Sequence, residues 1–196
     1  MPIESMDPYV YPGTNVLKNR RDLRELALLA EYEGTMSAFR LAQLAAKPQL
    51  GQFDIPHLKR LHGYIFQDVY DWAGEFRTVN IARPGQFYFA FIDQIVPTLN
   101  QLLQSLKAEK HLSGLNPARF SERAGYYLEL NAVHPFRDGN GRTQREFIRQ
   151  LALKIGCKAQ GSRITREAMS AASKLSFQKA DSSGLAALIL TAITTP

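Results

Sequence analysis

The sequence of 196 residues has a single cysteine, Cys157, so it cannot contain an internal disulfide. This cysteine lies at the end of an apolar stretch, which favours a buried structural thiol over a nucleophile. The chain also lacks a positively charged start followed by an apolar stretch, and no apolar run reaches the length needed to span a bilayer. We therefore predict a cytoplasmic protein of a reducing compartment, with no membrane partner.

Acidic residues are scarcer than basic ones, and the formal net charge is +6. Such an excess can indicate nucleic-acid binding. The densest basic group consists of Lys18, Arg20, Arg21 and Arg24. Two acidic residues, Asp22 and Glu25, are interleaved with that group, which is typical of a solvated helix face. We therefore expect no direct binding of nucleic acid, and a small polyanionic ligand is another use for the positive charge.

The chain has no internal repeat, low-complexity tract or clear linker, which predicts one domain over residues 1–196. Apolar residues recur with helical spacing from about residue 22 onward, which predicts an all-α fold. The predicted helices cover about 23–44, 56–72, 92–106, 117–132, a stretch through 147–155, about 165–178 and 183–194. Residues 76–90 are the exception, because β-formers around Pro84-Gly85 predict a hairpin.

Residues 134–145 read His-Pro-Phe-Arg-Asp-Gly-Asn-Gly-Arg-Thr-Gln-Arg and concentrate more chemistry than any other segment. The glycines on either side of Asn140 allow positive φ and a close approach of the backbone to a ligand. The amphipathic pattern that follows predicts that the segment is a loop leading into a helix N-terminus, where free N–H groups attract anions. Arg142 and Arg145, three residues apart, then face the same ligand. The pattern predicts a phosphate-binding loop with a candidate base, His134.

The segment meets every specified position of His-Pro-Phe-x-Asp/Glu-Gly-Asn-Gly-Arg-x-x-Arg, and the chain therefore resembles Fic-domain proteins. Tyr11-Pro12-Gly13-Thr14 and Asp71-Trp72-Ala73-Gly74 are similar to segments of bacterial toxin and effector members. The resemblance implies a Fic fold, a bundle of about seven or eight helices. It also implies that the hairpin at 76–90 is a flap over the active site, on which Ile81, Gly85 and Gln86 align the target. The implied activity is transfer of AMP from ATP to a protein hydroxyl.

Chemistry and resemblance together give the motif residues their predicted roles. His134 titrates near neutrality and is the predicted general base, the alternative being a capping histidine. Asp138 is predicted to hold Mg²⁺ with the phosphates, the alternative being a helix N-cap. Asn140 is predicted to donate to the α-phosphate, Arg142 to hold the β-phosphate and Arg145 the γ-phosphate. The alternative for both arginines is that they are surface residues. The predicted nucleotide ligands are Arg137, Asp138, Gly139, Asn140, Gly141, Arg142, Gln144 and Arg145. The other histidines, His57, His62 and His111, lack zinc-like spacing and are assigned no metal.

Regulation is suggested by Glu33-Gly34 in the first helix. Many Fic proteins carry an inhibitory helix with the pattern Ser/Thr-x-x-x-Glu-Gly/Asn, whose glutamate pairs with the second motif arginine, here Arg145. Leu29 stands where that pattern requires Ser or Thr. The resemblance then implies a separate small antitoxin, and the alternative is that Glu33 inhibits within the chain.

The predicted function is a protein adenylyltransferase that uses ATP and Mg²⁺ and acts on a Ser, Thr or Tyr hydroxyl. The resemblance to toxins suggests type II topoisomerase, gyrase or topoisomerase IV, as the target. Alternatives are transfer of another nucleotide or phosphoryl group, a non-catalytic binding module, and the Fic domain of a secreted effector that is delivered to another cell.

Overall fold

The computed structural model describes residues 7–83, 87–128, 130–159, 164–179 and 181–194. Within these ranges the elements are α1 (Leu26–Ala46), α2 (Ile55–Phe66), β1 (Ala82–Arg83), β2 (Phe87–Tyr88), α3 (Ile92–Ala108), a 3₁₀ turn (Lys110–Leu112), α4 (Pro117–Tyr127), α5 (Leu130–Val133), α6 (Asn140–Lys154), β3 (Lys158–Ala159), α7 (Arg166–Lys179), α8 (Ser183–Ala192) and β4 (Ile193–Thr194). The fold is predominantly helical, as predicted. None of the described helices combines the length and the apolar character that crossing a membrane requires.

Two of the described helices begin at a residue whose side chain caps the first turn. The side chain of Asn116 accepts the backbone N–H of Arg119 at 3.0 Å, and Pro117 occupies the first turn of α4. In α2 the cap is Asp54, whose carboxylate accepts the N–H of His57 at 2.9 Å. Both helices therefore begin where a side-chain oxygen replaces a missing backbone acceptor.

Three predicted helix ends were wrong. The apolar stripe predicted α2 as far as Trp72, but the helix ends at Phe66 and the chain continues in turns that still bury Val69. The stripe of α4 is divided into α4 and α5 before the signature loop. The last helix stops at Ala192 because the chain then pairs with Lys158–Ala159. In each case buried side chains continue beyond the point where the backbone leaves the helical conformation. Apolar periodicity reports only which side chains are buried, so it does not locate such an end.

The core lies where α2, α3, α4, α6 and α8 meet. Its fully or almost fully buried side chains include Leu58, Leu61, Ile65, Ile95, Leu99, Phe120, Ala124, Phe147, Leu151 and Leu185. Helices α4 and α8 approach closely at Gly125, where an added Cβ would lie 2.9 Å from the backbone N of Ala186. Helix α6, which follows the signature loop, packs on α2.

The predicted hairpin is present but short. Ala82 pairs with Tyr88 and Arg83 with Phe87 in an antiparallel register. The predicted aligning residues Gly85 and Gln86 lie outside the described residues. The segment after the hairpin is tied to α5, because the N–H of Ala90 donates to the carbonyl of Ala132 at 3.1 Å.

Candidate active site

A cavity of about 570 Å³ brings most of the predicted site residues together. The signature loop and α6 contribute His134, Asp138, Gly139, Asn140, Gly141, Arg142 and Arg145, and α1 contributes Ala30, Glu33 and Gly34. Ile164, Thr165 and Met169 form another part of the wall. The N-terminus of α6 therefore opens into a cavity that holds a histidine, two carboxylates and two arginines.

Gly139 determines how the loop enters α6. It is the N-cap residue with φ of 77°, and a Cβ added there would lie 2.3 Å from Cε2 of Phe66. Phe66 is fully buried, so its ring has little room to move. Gly141 differs, because it lies inside α6 and is not among the described glycines with positive φ. The prediction that both glycines supply positive φ was therefore correct for Gly139 alone.

The side chain of Asn140 closes the loop. It is buried, its Oδ1 accepts the N–H of Phe136 at 2.9 Å, and its Nδ2 donates to the carbonyl of Phe136 at 2.8 Å. A primary amide has two N–H donors, so one of them is already occupied within the loop. Asn140 thus holds the shape of the loop. Its second N–H is the donor that the predicted contact with the α-phosphate would use.

The carboxylate of Asp138 is partly exposed at the cavity. Its Oδ1 accepts the N–H of the adjacent Gly139 and lies 3.9 Å from Nη2 of Arg142. It does not occupy the N-cap position, which belongs to Gly139. A hard carboxylate beside a helix N-terminus fits Mg²⁺ that takes its other ligands from phosphates and water.

His62 supports the signature loop from below, a role that the sequence analysis missed. Its Nδ1 accepts the N–H of Gly74 at 2.8 Å, so the proton is on Nε2, which donates to the carbonyl of Asp138 at 3.0 Å. Its ring stacks on Phe136 with centroids 3.8 Å apart. Burial, with a smaller contribution from the charge of Arg142, lowers the pKa of His62 to about 3. The only local signal was its place on the apolar stripe of α2.

His134 is fixed by its backbone and by its ring. Its φ is 48°, and its ring stacks on Phe89 with centroids 3.9 Å apart. Its carbonyl accepts Nε–H of Arg77 at 2.8 Å. The imidazole is therefore held at the cavity by the chain segment that follows β2.

Arg77 is a second residue that the sequence analysis did not find. Its buried guanidinium also donates to the carbonyls of Val79 and Ala90, so it links the hairpin to the signature loop. Burial lowers the pKa of Arg77, and the charge of Arg137 lowers it further. Ile81, the described flap residue, accepts the N–H of Phe89 at 3.2 Å. The flap is thus positioned by backbone contacts that start at a buried arginine.

Arg142 and Arg145 both line the cavity, and Glu33 of α1 lines it with them. The Glu33 carboxylate pairs with Arg142, the first motif arginine. The predicted inhibitory contact was with Arg145. Nη1 of Arg142 also donates to Oγ of Ser37 at 2.9 Å. The guanidinium of Arg142 lies over the ring of Phe66, 4.6 Å from its centroid.

Two predicted nucleotide ligands, Arg137 and Gln144, are not among the residues that line the cavity. The guanidinium of Arg137 pairs with Asp7, with Nη2 and Oδ2 2.7 Å apart. Gln144 is buried, and it borders a separate cavity of only about 30 Å³. The positions of both side chains follow from the backbone geometry, because neighbouring residues of the motif point to different sides of the chain. The two residues therefore lie outside the lining of the main cavity, and their contact with a nucleotide stays a prediction.

Comparison with known proteins places this geometry in a family. The model of the Fic/DOC family matches residues 52–152, which include the signature loop and most of α6. Protein adenylyltransferase VbhT from Bartonella schoenbuchensis is 43% identical over 88% of this chain, but the match spans only 36% of that protein. A probable protein adenylyltransferase Fic from Escherichia coli is 38% identical over 87% of this chain and 84% of its own length.

Solved structures agree in fold. The BepC effector protein from Bartonella tribocorum, with bound AMPPNP, superposes with a TM-score of 0.90 and 27% identity, covering 96% of this chain and 97% of that chain. The N-terminal Fic domain of a Bep effector protein from Bartonella quintana, with bound ADP, gives a TM-score of 0.89 and 30% identity, covering 95% and 94%. Both similarities extend over nearly the whole chain.

Proposed function

Since the chain belongs to the Fic/DOC family, we propose that it is a protein adenylyltransferase that transfers AMP from ATP to a Ser, Thr or Tyr hydroxyl of a target protein. The observation that carries the proposal is the convergence of His134, Asp138, the N-terminus of α6, Arg142 and Arg145 on one cavity. The names of the VbhT and Escherichia coli relatives, and the nucleotides bound in two similar structures, support it.

The nucleotide phosphates are proposed to bind at the start of α6. N–H groups in the first turn of a helix have no intrahelical acceptor, and they favour phosphate oxygens there. Arg142 and Arg145 lie one turn apart on the same wall and match the β- and γ-phosphates as guanidinium forks. Asp138 is the residue that would hold Mg²⁺, which neutralises phosphate charge when bound.

His134 is proposed to remove the proton from the attacking hydroxyl. The hydroxyl oxygen then forms a bond to the α-phosphorus, and the bond to the β-phosphate oxygen breaks, so that pyrophosphate leaves. The stack on Phe89 and the contact with Arg77 hold the imidazole in place for this step.

The direct test uses ATP labelled at the α-phosphate, Mg²⁺ and a bacterial lysate. We expect label on a protein band with the wild-type chain and none with His134→Ala. Transfer of the γ-label instead of the α-label would contradict adenylylation and favour phosphoryl transfer. Purified gyrase and topoisomerase IV subunits are the first defined targets to assay, on the resemblance to toxins.

Control by a separate small antitoxin is the regulation that we propose. An apolar cavity of about 290 Å³ adjoins Arg145 and is lined by Leu41, Ala45, Ile148 and Ile189. This cavity suits the apolar face of a partner helix, and a glutamate on that helix would compete with the γ-phosphate at Arg145. Expression of the chain alone should slow growth of a bacterial host, and co-expression of a protein with Ser/Thr-x-x-x-Glu-Gly/Asn should restore it.

Delivery to another cell is the second candidate, because the two similar structures are VirB-translocated Bartonella effector proteins. An effector would label proteins of a host-cell lysate in preference to those of a bacterial lysate. Parallel labelling of both lysates therefore separates the two candidates, whereas growth inhibition in bacteria favours the toxin.

A further inference from the structure

Arg142 is held on the side of the cavity by α1 and α2. Its guanidinium pairs with Glu33 of α1, donates to Oγ of Ser37 at 2.9 Å, and lies over the ring of Phe66 in α2. The hydroxyl of Tyr70 donates to the other oxygen of Glu33. We call Glu33, Ser37, Phe66 and Tyr70 the Arg142 clamp. We propose that the clamp positions Arg142 for the β-phosphate, and that Glu33 is a positioning residue and not an inhibitor.

The contacts of Glu33 favour a permanent role. Each of its carboxylate oxygens has a partner within the chain, Arg142 for one and Tyr70 for the other. Its side chain is 14% exposed. An inhibitory glutamate has to release its arginine before a phosphate can bind there, but Glu33 is held both by Arg142 of α6 and by Tyr70, which follows α2. Moving it away would leave both the arginine and the buried tyrosine hydroxyl without their acceptor.

The surroundings of Tyr70 keep its hydroxyl protonated. Burial raises the pKa of Tyr70, and the charge of Glu33 raises it further, so the hydroxyl remains a donor to the carboxylate. The charge of Glu33 also offsets that of Arg142, whose side chain is 23% exposed. A guanidinium that is charge-compensated and fixed at two edges keeps its remaining N–H donors directed at the cavity.

Holding the Arg142 guanidinium in place before the nucleotide binds changes the affinity for that nucleotide. A long flexible side chain loses rotamer freedom when it binds phosphate, and a clamp that removes this freedom in advance strengthens binding. The gain applies only to ligands that reach Arg142. The role of the clamp rests on the proposed function, in which Arg142 holds the β-phosphate. The clamp therefore favours binding of ATP and ADP over binding of AMP.

The test is calorimetric titration of the full chain with ADP and with AMP, both in the presence of Mg²⁺. Glu33→Gln keeps the side-chain shape and removes the charge. We expect the ADP affinity to fall about tenfold and the AMP affinity to stay within about twofold, since charge-assisted hydrogen bonds are the ones lost. Glu31→Gln is the matched control, because Glu31 is an exposed acidic residue of the same helix, and it should bind both ligands like the wild type.

Ser37→Ala provides a second variant that removes the other edge contact without changing any charge. We expect it to weaken ADP about threefold and to leave AMP unaffected. If Glu33→Gln fails to fold, as judged by its melting temperature, this variant decides the question by the same comparison. Equal losses for ADP and AMP, or no loss for ADP, would overturn the clamp.

Labelling activity separates positioning from inhibition. Positioning predicts that Glu33→Gln transfers labelled AMP more slowly than wild type, whereas inhibition predicts faster transfer, and an increase would overturn the proposal. The ADP and AMP titrations need no target protein. A wild-type chain that labels nothing would therefore count against adenylylation, while the titrations would still decide whether Glu33 positions Arg142.

Discussion

Replacement of Gly139 by alanine is the sharpest test of how the site is built. Gly139 caps α6 with φ of 77°, and an added Cβ would approach Phe66 to 2.3 Å. An L-residue in the left-handed region costs about 1–2 kcal/mol, and an extra methyl group against a packed ring costs about 1–3 kcal/mol more. The expected loss is thus about 2–5 kcal/mol of unfolding free energy. Urea unfolding measures this loss of free energy. Thermal unfolding should show a melting temperature lower by roughly 5–15 °C for a domain of this size.

Gly156→Ala is the matched control for that experiment. Gly156 follows the other end of α6 with φ of 75°, but no heavy atom lies within 4 Å of a Cβ built there. Its cost should therefore be the backbone term alone, about 1–2 kcal/mol. The reasoning about Phe66 fails if the two variants are equally stable. Gly139→Ala should also lose labelling activity, because a shifted residue 139 moves the Asp138 carbonyl away from His62, whereas Gly156→Ala should retain it.

Three further predictions concern the chemistry of the site. His134→Ala should lower labelling about 10²–10⁴-fold with ATP affinity nearly unchanged, because the base acts on the hydroxyl; wild-type labelling would contradict the assigned role. Arg145→Ala should weaken ATP by roughly 1.5–3 kcal/mol and ADP far less, and equal losses in calorimetry would argue against a γ-phosphate contact. The pKa of His62 is about 3 in the folded protein, so its side chain stays neutral there, whereas the unfolded chain binds a proton below about pH 6.5. The contribution of His62 to the free energy of unfolding is therefore full above that pH and is lost as the pH falls. Between pH 6.5 and pH 5 the wild type should therefore lose about 2 kcal/mol more than His62→Gln in urea unfolding, and parallel losses would show that His62 titrates normally.

Much of the site follows from the sequence because its determinants are local. A helix N-terminus, a glycine with positive φ and two arginines one turn apart are properties of consecutive residues, and the structure brings His134, Asp138, Arg142 and Arg145 to one cavity. Local order also explains the side-chain caps at Asp54 and Asn116. A sequence records such features directly, since each depends on residues within a few positions of one another.

The tertiary structure alone decided which groups hold the motif in place. Glu33 meets Arg142, and His62 meets the carbonyl of Asp138, across separations of 109 and 76 residues. Arg77 donates to the carbonyl of His134 from 57 residues away. Nothing near these residues in the chain marks their partners, because such contacts depend on how helices pack and not on spacing. The sequence therefore determined which motif groups line the cavity, and helix packing decided which buried groups hold them there.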